Sequence, residues 1–267
     1  MNDRSTPDRA TIDRATLVAQ LRVLGVRAGD VLLVHASFRA VRPVEDGPAG
    51  LLAALCEALG PAGTLVLPSW GDDDDAPFDP ASTPVSPDLG VLADVFRRMP
   101  GVVRSAHPFA FAAIGPHAER VTGDPLPLPP HGPASPVGRV HDLDGRILLL
   151  GVDHDVDTTL HLAELLGGAP YRTAKHCTVR DPDGRPRCVE YEENDHCTAR
   201  FALADGWLRA QGLQREGRVG HADARLVRAR DVVRVAVAEV ARDPLIFLHA
   251  PTEGCEECDA ARASVAH

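Results

Sequence analysis

The residues best suited by type and spacing to move a proton are His161 and Glu164, in the segment TTLHLAELL of residues 158–166. Good helix formers run from Thr158 to a Gly167-Gly168 stop, and a separation of three puts both side chains on one helix face. A carboxylate beside an imidazole fixes its tautomer and raises its basicity. A general base needs both properties to deprotonate an incoming nucleophile. The same spacing also suits a plain structural helix pair. A second group is Glu190-Tyr191-Glu192-Glu193-Asn194-Asp195-His196. Its carboxylates can hold ammonium groups through charge-assisted hydrogen bonds, or simply suit the positive end of a following helix. A third is the run of four aspartates at 72–75, after Ser69-Trp70-Gly71. Strand ends are where α/β proteins place ligands, although four like charges also make an ordinary solvated loop.

Two small-residue segments can receive a phosphate or a pantetheine arm on backbone N–H groups: Val34-His35-Ala36-Ser37-Phe38, and Gly132-Pro133-Ala134-Ser135-Pro136 with His131 just before it. The N–H groups around Ser37 or Ser135 are also the expected donors to a developing oxyanion. Neither a GxxxxGK[ST] loop nor a strand-following GxGxxG occurs, so nothing points to a nucleoside triphosphate or a dinucleotide. The G-x-S-x-G elbow of α/β-hydrolases is missing too. Cys255 and Cys258 form a CxxC pair, half of a zinc site. Cys197, Cys177 and Cys188, with His176 and His196 beside them, are possible sources of the remaining ligands. Ordinary thiols near a chain end are the alternative.

The elements that must position these groups follow from periodicity and punctuation. Helices are expected over 15–24, 51–59, 89–98, 158–166 (capped by Thr158), 198–213 and 231–243 (capped by Asp231). Strands are expected over 31–34, 64–67, 109–114, 146–152 and 222–227. Asp181-Pro182-Asp183-Gly184 is a turn signal, so 176–179 and 187–191 are expected to form a hairpin. Residues 125–136 are proline-rich and read as a long loop. Buried parallel-type strands mixed with helices make the chain α/β.

At 267 residues, 44% of them hydrophobic, the chain is long enough to bury a large core. A net charge of −10 argues against nucleic acid and anionic membrane as partners, and suits a cationic small molecule. With no apolar run of transmembrane length and no secretory signal in MNDRSTPDRATIDR, a cytoplasmic location is expected.

Several segments together resemble a known family: LGVRAGDVLLVHASFRAVRPVEDGP (24–48), LGPAGTLVLPSW (59–70), RSAHPFAFAAIGP (104–116), PLPLPPHGPASPVGRVHDLDGRILLLGVDHD (125–155), TTLHLAE (158–164) and ENDHC (193–197). They look like the aminoglycoside 3-N-acetyltransferases, most closely the type IV branch that acts on apramycin, gentamicin and tobramycin. The likeness extends to the ending DPLIFLHAPTEGCEECDAAR. It implies an antibiotic N-acetyltransferase-type α/β sandwich with a mostly buried central sheet, distinct from the GNAT fold. A mobile leader over 1–14 would precede a single acetyltransferase domain over 15–267, as a monomer or homodimer.

The cosubstrate implied is acetyl-CoA, and the acceptor is the 3-amino group of the 2-deoxystreptamine ring. The resemblance puts the base on His161, drug-facing groups on Asp74, His131, Glu193 and Asp195, and serines near coenzyme A on Ser37, Ser105 and Ser135. Two departures stand out: position 36 is Ala where many relatives have Ser, and the loop after Trp70 is richer in Asp. Two other functions fit the same residues: an acetyl-CoA-dependent transferase of another small amine, and a non-catalytic protein that sequesters cationic drugs.

Overall fold

Apolar runs bounded by glycine form the inner strands, because such runs can be covered on both faces. The computed structural model describes residues 9–123, 126–181 and 183–265. In chain order its elements are α1 (Arg14–Leu24), β1 (Val31–Ala36), α2 (Phe38–Val41), α3 (Gly47–Leu59), β2 (Thr64–Pro68), α4 (Gly90–Arg97), β3 (Val103–Arg104), β4 (Phe111–Ile114), α5 (Ala118–Thr122), α6 (Pro136–Asp142), β5 (Arg146–Leu150), α7 (Thr159–Gly167), β6 (Thr173–Arg180), β7 (Pro186–Glu193), α8 (Leu203–Ala210), β8 (Arg215–Val219), β9 (Ala222–Arg228), α9 (Ala229–Arg242) and α10 (Glu256–Ser264).

Seven strands form one sheet in the order β3-β4-β2-β1-β5-β9-β8, and β6 pairs with β7 as a separate hairpin. The central three, β2, β1 and β5, run parallel, with Leu33 facing Val66 on one side and Ile147 on the other. β4 and β9 flank them antiparallel. Alternate residues of β1 feed two separate cores. Val31 and Leu33 pack with residues of α6, α7, α8 and α9, whereas Leu32 and Val34 pack with α1, α3 and α4. The chain goes from β1 to β2 on one side and later to β5 on the other. A crevice is therefore left at the C-terminal end of β1, the usual ligand position in such sheets.

Several local expectations need correction. Thr158 stands at the N-cap of α7 but makes no side-chain cap bond; Asp157 Oδ1 accepts the Thr159 N–H at 3.0 Å instead. Asp231 lies in the first turn of α9, which begins earlier, at Ala229. The helix expected over 198–213 is a 3₁₀ turn, Thr198–Ala202, followed by the shorter α8. β8 was missed because its REGRV sequence is charged and exposed at four of five positions. α6 was missed at the end of the proline-rich stretch, although Ser135 caps it and Pro136 opens it, a standard start signal. Of the segment expected as a mobile leader, residues 1–8 lie outside the described residues. The rest is docked: Ile12 bridges to Val44 and Asp13 caps α1.

Candidate active site

α7 brings His161 and Glu164 together as the spacing requires, with His161 Nδ1 3.0 Å from Glu164 Oε2. Glu164 is fully buried and serves more than one partner. Its Oε1 accepts the Tyr171 hydroxyl and lies 2.7 Å from His196 Nε2. The other nitrogen of His196, Nδ1, lies 2.7 Å from the Cys197 carbonyl oxygen. Two acceptors at two ring nitrogens require both N–H groups, so His196 is an imidazolium. Burial opposes that charge, but the bond to Glu164 and its negative charge outweigh it and raise the ring above the ordinary histidine value. Burial likewise opposes ionisation of Glu164, and the bonds from His161 and His196 overcome it. Glu164 is thus a carboxylate, and it receives a proton donor at His161 Nδ1. That leaves His161 Nε2, which has no hydrogen-bond partner among the described residues, as the nitrogen available to a ligand.

His161 lines a cavity of about 340 Å³ at the C-terminal ends of β1 and β2, together with His35, Trp70, His131, Asp155 and Asp157. Phe201 meets the His161 ring edge-on at 4.9 Å, and His131 stacks on it at 5.0 Å with planes 25° apart. His131 is held well below the ordinary histidine range, first by burial and then by the charges of His161 and His35. It is neutral and acts as an aromatic wall. His35 is lowered to about 4 by burial, so it too is neutral at physiological pH. Sequence reasoning missed the buried pair below it: His154 Nδ1 lies 3.0 Å from Asp157 Oδ2, and His154 Nε2 2.8 Å from Gln214 Oε1. His154 and Asp157 are three apart, like His161 and Glu164, so the same spacing signal was available.

The acidic run splits by strand alternation. Glu190 and Glu192 are exposed on β7, while Tyr191 and Glu193 face inward. Burial pushes the Glu193 carboxyl up to about 7, and the charge of nearby His161 works against that. Asp195 follows the strand, and its Oδ2 pairs with Lys175 Nζ at 2.7 Å. Asp74 is exposed, yet its charge is felt at Glu193, Lys175 and Tyr191, so it borders the same acidic patch. Lys175 was not anticipated. It alternates on β6 between Ala174 and His176, with no pattern to mark it as an internal cation.

The three serines sit differently. Ser37 follows β1 and precedes α2. Ser105 is buried, and its Oγ accepts the Phe111 N–H at 3.0 Å. Ser135 is buried, and its Oγ accepts the Gly138 N–H at 3.2 Å. None of the three serines is among the residues that line the cavity. The backbone N–H groups of Ser37 and Ser135 bond to Leu150 O and Gly132 O, so an oxyanion donor from either loop would be a neighbouring N–H group. Cys177 and Cys188 lie on the hairpin, His176 pairs with Asp75 and His196 with Glu164, so none of these joins Cys255 and Cys258.

The arrangement is an oriented imidazole, backed by a buried carboxylate, at the end of a parallel sheet and beside an acidic patch. It can accept a proton from a cation held there. The family model for aminoglycoside 3-N-acetyltransferases matches residues 33–241. Aminoglycoside N(3)-acetyltransferase IV of Salmonella sp is 64% identical over 238 residues, covering 89% of this chain and 91% of that protein. The crystal structures of aminoglycoside acetyltransferase AAC(3)-IVa, as apoenzyme and as a mutant in complex with a gentamicin, both match with a TM-score of 0.95 at 62% identity, over 97% of this chain and 100% of that one. AAC-IIIb, solved as a binary complex with CoASH, matches with a TM-score of 0.79 at 30% identity, over 87% and 97%. The chain belongs to the aminoglycoside 3-N-acetyltransferase family, whose mixed α/β fold is distinct from GNAT. It is accordingly an enzyme of the acetyltransferase class.

Proposed function

We propose that this enzyme transfers the acetyl group of acetyl-CoA to the 3-amino group of the 2-deoxystreptamine ring of an aminoglycoside, with His161 as general base. The observation that carries the reading is His161 itself: Nδ1 is tied to Glu164 at 3.0 Å, and Nε2 is left for the cavity. A protonated amine has no lone pair, so a proton must leave before or during attack. His161 Nε2 takes one proton from the ammonium group, and the neutral amine then attacks the thioester carbon; the C–S bond breaks, and the departing coenzyme A thiolate takes up the nitrogen's second surplus proton. Glu164 supports the imidazolium that forms. Glu193, Asp195 and Asp74 hold the remaining ammonium groups, and His131 supplies a flat wall beside the base. Orienting the acceptor in this way removes much of the entropy cost of a bimolecular reaction. Ser37, at the crevice end of β1, is the serine we retain for coenzyme A, since Ser105 and Ser135 are committed to backbone partners. Acetylation removes one positive charge from the drug, which is the basis of resistance.

The reading takes 15–267 as one domain, monomeric or homodimeric, with neither nucleic acid nor membrane as partner. Among the described residues no helix is long and apolar enough to cross a membrane. A cytoplasmic location accords with the six free cysteines and the acetyl-CoA requirement. A structural zinc at Cys197, Cys255 and Cys258 belongs to this reading as a support for the fold, apart from the cavity.

Thiol release from acetyl-CoA, measured with a panel of aminoglycosides, tests the activity. Drug-dependent release of one thiol per amide formed is expected. Release with other small amines alone would move the acceptor elsewhere, and stoichiometric drug binding with no thiol release would make the chain a sequestering protein.

Glu193 adds a pH dependence. Its carboxyl is raised to about 7, so it gains a proton as pH falls through neutrality and loses its attraction for an ammonium group. The drug's KM should therefore rise as pH falls from 8 to 6. Glu193→Gln should raise KM at pH 8 and flatten this part of the profile. An unchanged profile in the variant removes Glu193 from the drug site.

A further inference from the structure

Away from the cavity, Cys197, His249, Cys255 and Cys258 bring three sulfurs and a ring nitrogen within 4.8 Å of one another. They come from three stretches of chain: Cys197 from the segment after β7, His249 from the turn after α9, and the CxxC pair from the start of α10. Cys197 Sγ is 3.9 Å from Cys258 Sγ, and His249 Nδ1 is 3.3 Å from the first and 3.5 Å from the second. Tetrahedral zinc, with Zn–S of about 2.3 Å and Zn–N of about 2.0–2.1 Å, sets its ligand atoms about 3.5–3.8 Å apart. A disulfide needs an S–S distance of about 2.05 Å, and all six cysteines are free.

We propose that Cys197, Cys255, Cys258 and His249 Nδ1 bind one zinc ion in a closed Cys₃His tetrahedron that clamps the C-terminal helix onto the drug-facing segment. The fourth ligand is a histidine the cysteine spacing does not announce, and four protein ligands leave no open position for catalysis. The clamp acts through neighbours. Cys197 follows Asp195 and His196, and its own carbonyl accepts the His196 ring whose other nitrogen meets Glu164. Zinc at Cys197 therefore fixes the position of the acidic wall and of a Glu164 partner; this second part rests on the drug site proposed above.

Metal analysis and zinc K-edge absorption of the purified full chain test the assignment. One zinc per chain with three sulfurs and one nitrogen is expected. Cys258→Ser and His249→Ala should each lose the ion, whereas Cys56→Ser, far from the cluster, should keep it. Loss of zinc should lower the thermal midpoint and raise the drug's KM, with the KM for acetyl-CoA little changed. Wild-type protein free of zinc with six titratable thiols overturns the site, as does an intact mass about 2 Da low, the mark of a disulfide. Zinc retained by both variants also overturns it. Zinc lost without any change in drug KM overturns the clamp. Because metal content is read without turnover, failure of the acetyltransferase reading would leave this result independent. Should Cys258→Ser not fold, the wild-type metal content and absorption spectrum still decide.

Discussion

His161→Ala is expected to lower kcat for drug acetylation by about 10²–10⁴-fold, the usual worth of a positioned general base, with the drug's KM changed by roughly threefold or less. The magnitude follows from the site's lack of a substitute. His131 stacks on His161, but burial keeps its pKa far too low to hold a proton at neutral pH. His35 suffers the same fate at about 4. His196 already carries its proton, held between Glu164 and a carbonyl, and has none to take up. A variant that keeps near-normal turnover would show that the amine arrives already neutral and needs no base. The KM is expected to move little because the proposed drug site places the other ammonium groups on Glu193, Asp195 and Asp74, not on the imidazole.

The second large effect is on Glu164. Glu164→Ala should cost about 3–5 kcal/mol of stability, the range for removing one member of a buried ion pair. The loss would strand three groups at once: the Tyr171 hydroxyl, the His196 imidazolium and His161 Nδ1. Chemical denaturation of the variant reads this directly; a loss under about 1 kcal/mol would mean the carboxylate is not the hub of the cluster. Glu164→Gln separates orientation from charge. The amide oxygen can still accept one N–H, but it offers no countercharge to the imidazolium that forms at His161 during attack. A fall in kcat of roughly tenfold or more, with the drug's KM nearly constant, is expected. Equal losses in both parameters would instead indicate a distorted drug site.

Much of the site could be read from spacing. His161 and Glu164 three apart on a helix needed only a helix, and the helix formers supplied it. The inner strands were equally plain, since VLLV and RILLL have few alternatives to burial. What escaped was long-range or unpatterned. His196 was seen as one member of an acidic run and a neighbour of a cysteine; that it closes on Glu164, 32 residues earlier, is set by the path of the chain after the hairpin. Lys175 sits on a hairpin strand that carries no signal for an internal cation. Gln214, which holds His154, lies just before a charged edge strand that periodicity does not detect. The acidic run could not be divided into inward-facing and solvent-facing members until β7 fixed which residues alternate inward.

A catalyst that grips its captured hydrogen ion too firmly works once and stalls. Glu164 does not serve His161 alone, since a second ring and a phenol also bond to it. In the mechanism proposed above, His161 must release the hydrogen it takes before it can act again. On that mechanism, a carboxylate divided among three partners bears on how soon the site is free for another substrate molecule.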